Sequence, residues 1–404
     1  MKDKRLATIF LIVFVDLLGV GIILPLLPYL AETYHANPVQ IGLLTATYSL
    51  FQLISSPILG RLSDKYGRRK LLLFSQVGTM AGFILLGCAK ALPLIFLSRI
   101  IDGATGGNIS IAQAYIADVT TKENRAKGMG IIGAAFGLGF IIGPAVGGLL
   151  SRISFSTPAF FAAGISLLTI LLTFFTLKES VNVEKAVQSN ATALTINGFK
   201  KIIKMHPLGL YIFTFLTVNL IASILQGNFA LWTQKRFGFG PSNTGWLFAY
   251  IGIMVVIIQL KLLPLFLKRF KERKLMTYGL FSLGIGLLLL TLAISPIWVL
   301  IPLAFTSLGQ GLFNPTIQAL ASENVNKEDY GETLGIMQSA GSLGRILGPI
   351  IGGELFMHFG PNEAFIVSGV AMILVALFVV RKKKALMREV SNQPVDTQFQ
   401  LDMQ

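Results

Sequence analysis

The sequence predicts an all-α integral membrane protein with twelve transmembrane helices in two six-helix, pseudo-symmetric halves. Three observations support this fold class: an unusually apolar composition, twelve long apolar stretches and an internal repeat. Of the 404 residues, 53% are hydrophobic and 13% are charged, and the mean hydropathy is +0.70. Because soluble proteins carry about 25% charged residues, a soluble chain of this size would have too few charges to cover its surface.

Twelve apolar stretches are long enough to cross a bilayer, which requires about 20 residues of helix. A helix is favoured because it satisfies its backbone hydrogen bonds internally, and the alternating ten-residue pattern of a membrane barrel is absent. We number the stretches as spans 1 to 12 and expect them near residues 6–30, 39–60, 70–89, 92–117, 127–150, 158–177, 207–231, 243–267, 274–294, 297–321, 331–356 and 362–380.

The basic residues predict how these spans are oriented. With both termini in the cytoplasm, 27 of the 34 Lys and Arg residues lie on the cytoplasmic side and four lie on the opposite side. This asymmetry follows the positive-inside rule, and it explains the net charge of +15 without a nucleic-acid partner. We therefore expect a multi-pass protein of the cytoplasmic membrane, surrounded by the lipid bilayer, that binds no nucleic acid.

The two halves of the sequence repeat one pattern. Phe140–Gly148 (FIIGPAVGG) is matched 205 residues later by Arg345–Gly353 (RILGPIIGG), an offset close to half the chain length. Two related six-helix bundles are the architecture of alternating-access transporters, which bind substrate between the bundles. The predicted domains are an N-terminal six-helix bundle (1–180), a cytoplasmic central loop (181–206), a C-terminal six-helix bundle (207–384) and a disordered cytoplasmic tail (385–404).

Four segments resemble motifs of a known transporter family. Gly60–Lys70 (GRLSDKYGRRK) resembles the signature of the major facilitator superfamily in the loop between spans 2 and 3. Arg99–Gly107 (RIIDGATGG) and Gly139–Gly148 (GFIIGPAVGG) resemble the fourth-span and fifth-span motifs of its drug:proton antiporters with twelve spans. Asp16–Pro28 (DLLGVGIILPLLP) is similar to the first span of the tetracycline-efflux branch. The resemblance covers essentially the whole chain and implies the major facilitator fold.

Asp16, Arg99 and Asp102 are the candidates for proton coupling. Asp16 lies about ten residues into span 1, where an ionised carboxylate costs at least a few kcal/mol unless it faces the bundle interior or water. Arg99 and Asp102 are three residues apart, so they share a helix face of span 4 and can neutralise each other. By resemblance, Arg99 is the motif arginine that is linked to proton transfer. The structural alternatives are an Asp16 that is held for packing and a static Arg99–Asp102 ion pair.

The loop signature implies a conformational latch, by resemblance to the family. In isolation such a charge run would be a solvated loop. In the family, the loop aspartate caps a helix of the opposite half, and a loop arginine pairs with an acid at the end of span 4. Carried over, Asp64 would meet the start of span 11 and Arg68 would meet Asp118. The predicted latch residues are Gly60, Asp64, Gly67, Arg68, Arg69 and Asp118.

The fifth-span motif predicts close helix packing. Gly139, Gly143 and Gly147 are spaced by four residues, a pattern that lets membrane helices approach closely, and Gly148 follows directly. Pro144 lacks a backbone donor and bends its helix. By resemblance, this antiporter motif favours exchange over symport.

Four polar residues in the apolar spans of the second half are candidates for substrate binding: Asn219, Gln226, Gln310 and Arg345. Arg345 takes the place of Phe140 in the repeat and could attract an anionic substrate. The sequence contains no nucleophile–base pair, no ATP-binding Gly-x4-Gly-Lys-Ser/Thr motif and no histidine or cysteine cluster for a metal. We therefore expect no catalytic residues, no metal and no cofactor, with the proton gradient as the energy source.

The sequence favours a monomeric secondary active transporter that exports a small amphipathic compound or drug by proton-coupled antiport. Two alternatives remain open. The first is uptake or symport of a small organic anion or metabolite, with Arg345 and Arg99 as anion ligands. The second is a non-transporting receptor or scaffold that shares the facilitator fold.

Overall fold

The computed structural model describes residues 4–121, 124–180, 207–323, 325 and 330–391. Within these residues the chain is helical and contains no β-strand. Nine of the described helices are long and apolar enough to cross a membrane. Spans 4, 10 and 11 complete the twelve. The predicted central loop at 181–206 and the end of the predicted tail at 392–404 lie outside the described residues.

Each of the twelve predicted spans is helical. The first half consists of Lys4–Ile23 with Leu27–Glu32 (span 1), Pro38–Tyr66 (span 2), Arg68–Gly87 (span 3), Leu92–Ala104 with Asn108–Val119 (span 4), Arg125–Leu150 (span 5) and Thr157–Thr176 (span 6). The second half consists of Leu208–Phe237 (span 7), Pro241–Ile257 with Leu263–Leu267 (span 8), Glu272–Thr291 (span 9), Leu300–Glu323 (span 10), Tyr330–His358 (span 11) and Glu363–Ser391 (span 12).

Three spans are interrupted where the sequence predicted single helices. Span 1 breaks at Pro25, because proline has no N–H for the helix ladder. Span 4 breaks between Ala104 and Asn108, where two adjacent glycines each cost about 1 kcal/mol in a helix. In span 8 a π turn, Ile258–Leu262, joins the two helices directly before Pro264.

The last helix extends beyond the predicted end of the second bundle. Span 12 continues to Ser391, seven residues past the predicted limit at 384. The segment from Arg381 to Ser391 contains neither glycine nor proline, and most of its residues are good helix formers. The helix therefore has no sequence signal that would end it at the predicted boundary.

The termini define the two sides of the molecule. We call the side where span 1 begins the termini side and the other the opposite side. The single cysteine, Cys88, follows span 3 on the opposite side and is exposed. Large apolar side chains such as Phe175 and Ile294 are more than three-quarters exposed, as expected for a surface that faces lipid.

The contacts between the halves keep the symmetry of the repeat. Gly245 of span 8 lies against the backbone of Pro144 in span 5, and Gly42 of span 2 lies against the backbone of Pro349 in span 11. Both pairs allow two helices to approach closely because glycine carries no side chain. Spans 5 and 8, and spans 2 and 11, therefore form the two main seams between the halves.

The halves are joined on the opposite side by a buried hydroxyl network. The Tyr29 hydroxyl lies 2.7 Å from Thr244 Oγ1 and donates towards the Phe239 carbonyl oxygen at 3.0 Å. Thr233 Oγ1 lies 3.0 Å from Thr244 Oγ1. On the outer edge of the same side, Arg152 Nε donates to Ser242 Oγ at 3.0 Å. All hydrogen bonds between described residues of the two halves lie on this side.

The apolar core is divided on the termini side. One buried cluster combines the second half with the outer part of the first half. A second cluster, which includes Ile9, Leu72 and Ile116, belongs to the first half alone and lies towards the termini side. Gly130 and Gly133 of span 5 have no heavy atom within 4 Å of an added Cβ. The described part of the molecule is thus closed on the opposite side and open on the termini side.

We expect Tyr29→Phe to weaken the closure. The substitution removes the hydroxyl that links the halves, and a buried group left without its partner costs about 1–3 kcal/mol. Hydrogen–deuterium exchange should become faster at the start of span 8, around Thr244. Tyr34→Phe is the matched control, because the Tyr34 hydroxyl donates to the Ala89 carbonyl at 2.7 Å within the first half. Equal exchange around Thr244 in both variants and the wild type would contradict the prediction.

Candidate functional site

The predicted proton-coupling residues lie in the interior of the first half. Asn108 Nδ2 donates to Asp16 Oδ1 at 2.7 Å. Arg99 Nη1 lies 3.3 Å from Asp102 Oδ2, and their side chains are only 6% and 5% exposed. The break in span 4 places Asp102 near the end of one helix and Asn108 at the start of the next. Asp102 therefore pairs within the first helix of span 4, and Asn108 contacts Asp16 from the start of the second.

A small cavity lies beside these residues. Its size is enough for about one water molecule. Thr79 lines the cavity and also lies close to the Asp102 carboxyl group, so this side chain lies between the cavity and the second acid. The lining residues are Ile12, Val15, Asp16, Gln76, Thr79, Asn108, Ser166 and Thr169. Asp16 and Asp102 also lie within electrostatic range of each other, so they form one polar site.

The structure brings most of the predicted latch residues together. Arg68 Nε lies 3.1 Å from Asp118 Oδ2, and Arg68 Nη1 donates to Ser63 Oγ at 2.6 Å. Arg68 also forms an ion pair with Asp64. The Asp64 side chain is 47% exposed, and its described partner belongs to its own half rather than to span 11.

The two latch glycines have different environments. Gly67 has a φ of +102°, a conformation that favours glycine, and this turn connects spans 2 and 3. Gly60 has open space where a side chain would be. Arg69 donates to the Phe174 carbonyl oxygen, and its guanidinium lies 5.3 Å from the centre of the Phe174 ring. Arg69 therefore fastens the loop to span 6.

Glu179, which belongs to none of the sequence motifs, caps span 3. The backbone N–H of Arg68 donates to Glu179 Oε1 at 2.8 Å, and that of Arg69 donates to Oε2 at 3.2 Å. A carboxylate is favourable at a helix N-terminus because it satisfies free N–H groups and complements the helix dipole. Ser180 Oγ lies 2.9 Å from Asp118 Oδ2. The segment that follows span 6 therefore completes the latch within the first half.

We expect Glu179→Ala to lower the free energy of unfolding by about 0.5–2 kcal/mol, the usual cost of losing a helix cap. Thermal unfolding of the detergent-solubilised protein should show the loss. Glu272→Ala is the control, since Glu272 is an acid in the first turn of span 9 and tests the charge at a helix start alone. If the two variants unfold at the same temperature, the cap at span 3 contributes nothing beyond its charge.

The antiporter motif contacts two neighbouring helices. Gly139, Gly143 and Gly147 all lie against the backbone of span 1, and a Cβ on Gly143 would be 2.8 Å from Gly21 Cα. Gly148 instead faces the start of span 8, where an added Cβ would be 3.0 Å from the Pro241 carbonyl oxygen. The predicted close packing is therefore present both within the first half and across the seam with the second.

In the second half, Arg345 and Asn219 lie together. Arg345 Nη2 donates to Ser342 Oγ at 2.7 Å, and Nη1 donates to Asn219 Oδ1 at 3.3 Å. No acid forms an ion pair with Arg345 among the residues that the structure describes. Gln226 and Gln310 are half-buried on spans 7 and 10, and hydrogen bonds between described residues do not connect them to Arg345.

Tyr48 of span 2 is a further polar residue near the site, and it belongs to none of the sequence motifs. Its hydroxyl accepts a hydrogen bond from Gln52 Nε2 at 2.9 Å. Tyr48 lies within electrostatic range of charges in both halves: Asp16, Arg99, Asp102 and Arg345. Because tyrosine is common in apolar spans, no sequence signal distinguishes this one.

Sequence comparison identifies the family. A sequence model of the Major Facilitator Superfamily matches residues 9–304 and 262–398. The chain belongs to the major facilitator superfamily. The superfamily consists of transporters, and the predicted fold of twelve helices in two six-helix halves is confirmed for this member. It is therefore a multi-pass membrane protein with a small-molecule substrate.

Relatives of this superfamily member include resistance proteins. It is 33% identical over 361 residues to tetracycline resistance protein, class D, of Salmonella ordonez, covering 88% of this chain and 90% of that protein. It is 31% identical over 387 residues to multidrug resistance protein 2 of Bacillus subtilis (strain 168), covering 93% and 96%. The solved structure of the nucleoside transporter NupG is similar in fold alone, with a TM-score of 0.78, 16% identity and coverage of 94% and 99%.

Proposed function

We propose that this facilitator exports a small amphipathic compound or drug in exchange for protons. The observation that carries the proposal is the polar site inside the first half: Asp16, Asn108 and Thr79 line one small cavity, and Asp102 lies within electrostatic range of Asp16. An ionisable acid inside a membrane protein marks a proton or ion pathway by default. The names of the resistance-protein relatives support a drug-like substrate.

Coupling follows from the cost of an ionised acid that is shielded from water. When the site is accessible to water, Asp16 can release its proton and accept the Asn108 hydrogen bond as a carboxylate. When the site is closed, the neutral acid is favoured, because a buried charge is expensive without a partner. Protonation of Asp102 would likewise release Arg99 for another contact. When water gains or loses access to the site, the protonation of these acids therefore changes as well.

The substrate would bind between the halves, near the middle of the membrane. The polar contacts would come from four side chains of the second half: Asn219, Gln226, Gln310 and Arg345. We propose that no covalent chemistry and no cofactor take part, and that the proton gradient supplies the energy. The protein would work as a monomer, since one chain contains both halves.

We further propose that both termini are cytoplasmic and that the membrane is the cytoplasmic membrane. The open termini side would then face the cytoplasm and load substrate for export. On closure of that side, Asp64 would reach the start of span 11 and complete the latch. The close packing of span 5 on spans 1 and 8 would prevent leakage and favour exchange over symport.

Proton movement in everted membrane vesicles tests the proposal. Vesicles are acidified by respiration, and a panel of cationic, zwitterionic and anionic antimicrobial compounds is added while a dye reports the internal pH. For an exporter, at least one compound should cause protons to leave, and vesicles from cells with the empty vector should not respond. Absence of proton release with every compound would contradict proton-coupled drug export.

Arg345 favours a second candidate, uptake or symport of a small organic anion. A membrane-embedded arginine without an acidic partner among the described residues is suited to bind an anionic group. In the vesicle assay, a symporter would not release protons upon addition of its substrate, because proton and substrate move in the same direction. A receptor or scaffold would respond to no compound in either direction.

A further inference from the structure

We propose that protons reach Asp16 from the termini side through the interior of the first half, along a route separate from the substrate path between the halves. We call this route the hydroxyl path: Thr8 of span 1, Gln76 of span 3, and Ser166, Thr169, Thr173 and Thr176 of span 6. The inference rests on the proposed function, because it takes Asp16 as the proton-binding group.

The span 6 residues form one stripe. Ser166, Thr169, Thr173 and Thr176 are spaced by three and four residues, so they lie on the same helix face. The stripe runs from the middle of span 6 to its last residue on the termini side, a length of about 15 Å at 1.5 Å per residue. Each hydroxyl donates to a carbonyl oxygen of its own helix. Its lone pairs therefore remain able to accept a further hydrogen bond.

The inner end of the hydroxyl path opens into the cavity beside Asp16. Gln76 and Asn108 are 3% and 2% exposed, and Gln76 Oε1 and Asn108 Oδ1 have no hydrogen-bond partner among the described residues. A buried polar atom without a partner costs about 1–3 kcal/mol. A water molecule in this cavity would donate to these oxygens, and it would lie beside the Asp16 carboxyl group.

The outer end reaches the termini side. Gln76 Nε2 donates to Thr173 Oγ1 at 3.0 Å, and Thr8 Oγ1 lies 3.2 Å from Thr176 Oγ1. Thr173 is fully buried, whereas Thr176 is exposed at the end of its helix. Two polar pairs therefore follow each other from the cavity to the surface, separated by about 4.5 Å along span 6.

The width of the hydroxyl path suits a proton and excludes a drug. A cavity with space for about one water molecule does not admit an amphipathic compound, but a proton can pass along hydrogen-bonded waters and hydroxyls. The path lies between spans 1, 3 and 6 of a single half, away from the seams between the halves. A substrate bound between the halves would therefore leave proton access to Asp16 unblocked.

Time-resolved infrared spectroscopy on the solubilised full-length protein tests the hydroxyl path. Light releases protons from a caged compound, and the carbonyl stretching band of the protonated Asp16 side chain is followed over time. The band is assigned to Asp16 because it should be absent from the variant Asp16→Asn. In the variant Thr169→Val/Thr173→Val, we expect the band to reach its normal amplitude at a rate at least about tenfold lower, the equivalent of a barrier raised by about 1.4 kcal/mol. An unchanged protonation rate in this variant would overturn the proposal that protons use the hydroxyl path.

Three controls separate the possible failures. Thr214→Val removes a buried hydroxyl of span 7 that donates to the Leu210 carbonyl, and it should leave the rate unchanged. Thr169→Ser/Thr173→Ser keeps both hydroxyls and should restore the wild-type rate; a slow rate in this variant would indicate a packing effect and overturn the path. If the wild type gives no band that Asp16→Asn removes, Asp16 does not bind protons; this result overturns both the path and the role of Asp16 as proton carrier in the proposed function.

Discussion

Asp16→Asn is expected to abolish proton-coupled transport while the protein folds normally. Asparagine keeps an acceptor oxygen for Asn108 Nδ2, which now donates to Asp16 Oδ1 at 2.7 Å, so the local hydrogen bond survives. The amide cannot take up or release a proton in the accessible range of pH. Protection against the exported compound should fall to that of the empty vector, whereas the temperature of thermal unfolding should stay close to that of the wild type.

The measurement is growth of an efflux-deficient bacterium with graded concentrations of each compound, at equal membrane expression. Glu354→Gln is the matched control, because Glu354 is a half-exposed acid that pairs with His358 on the opposite side. This control should protect as well as the wild type. Full protection by Asp16→Asn would exclude Asp16 as the essential proton carrier and direct attention to Asp102.

Gly143→Ala is expected to lower both stability and transport. The added Cβ would lie 2.8 Å from Gly21 Cα and 2.8 Å from the Leu18 carbonyl oxygen. Because both contacts are backbone atoms, no side chain can turn away, and spans 1 and 5 must separate. Overpacking of this kind costs about 1–3 kcal/mol, which exceeds the gain of up to about 1 kcal/mol from placing alanine in a helix.

Gly133→Ala in the same helix is the matched control. Its added Cβ meets no heavy atom within 4 Å, so this variant should be as stable as the wild type or slightly more stable. Thermal unfolding and vesicle transport are measured for both variants. If Gly143→Ala unfolds at the temperature of Gly133→Ala, the contact between spans 1 and 5 tolerates a methyl group, and stability does not depend on the close approach of these helices.

The fold was predictable because lipid imposes a simple rule on the sequence. Each membrane-crossing segment must satisfy its own backbone, so long apolar stretches indicated where the spans lie, and nine of the described helices meet that criterion. The repeat of Phe140–Gly148 at Arg345–Gly353 predicted the pairing of halves. Contacts within one helix were also predictable, since Arg99 and Asp102 are three residues apart. The pairing of Arg68 with Asp118 needed the family resemblance.

The rest of the site depends on contacts between distant segments. The bond between Asn108 and Asp16 spans 92 residues, and Glu179 caps a helix that begins 111 residues earlier. Uncharged polar groups such as Thr173 do not stand out, because an apolar span tolerates a hydroxyl that bonds to its own backbone. The open termini side was not predictable either, since one sequence encodes both states of an alternating-access protein.

Cys88 makes the motion of this molecule directly measurable. It is the only cysteine in the chain, it is exposed, and it belongs to the half that must separate from its counterpart when the opposite side opens. A single added cysteine at Ile294, which is 79% exposed beyond span 9, would complete a pair of spin labels across that side. The native protein therefore already provides one of the two labelling sites. The distance distribution between the labels would give the populations of the two states at each pH and with each added compound.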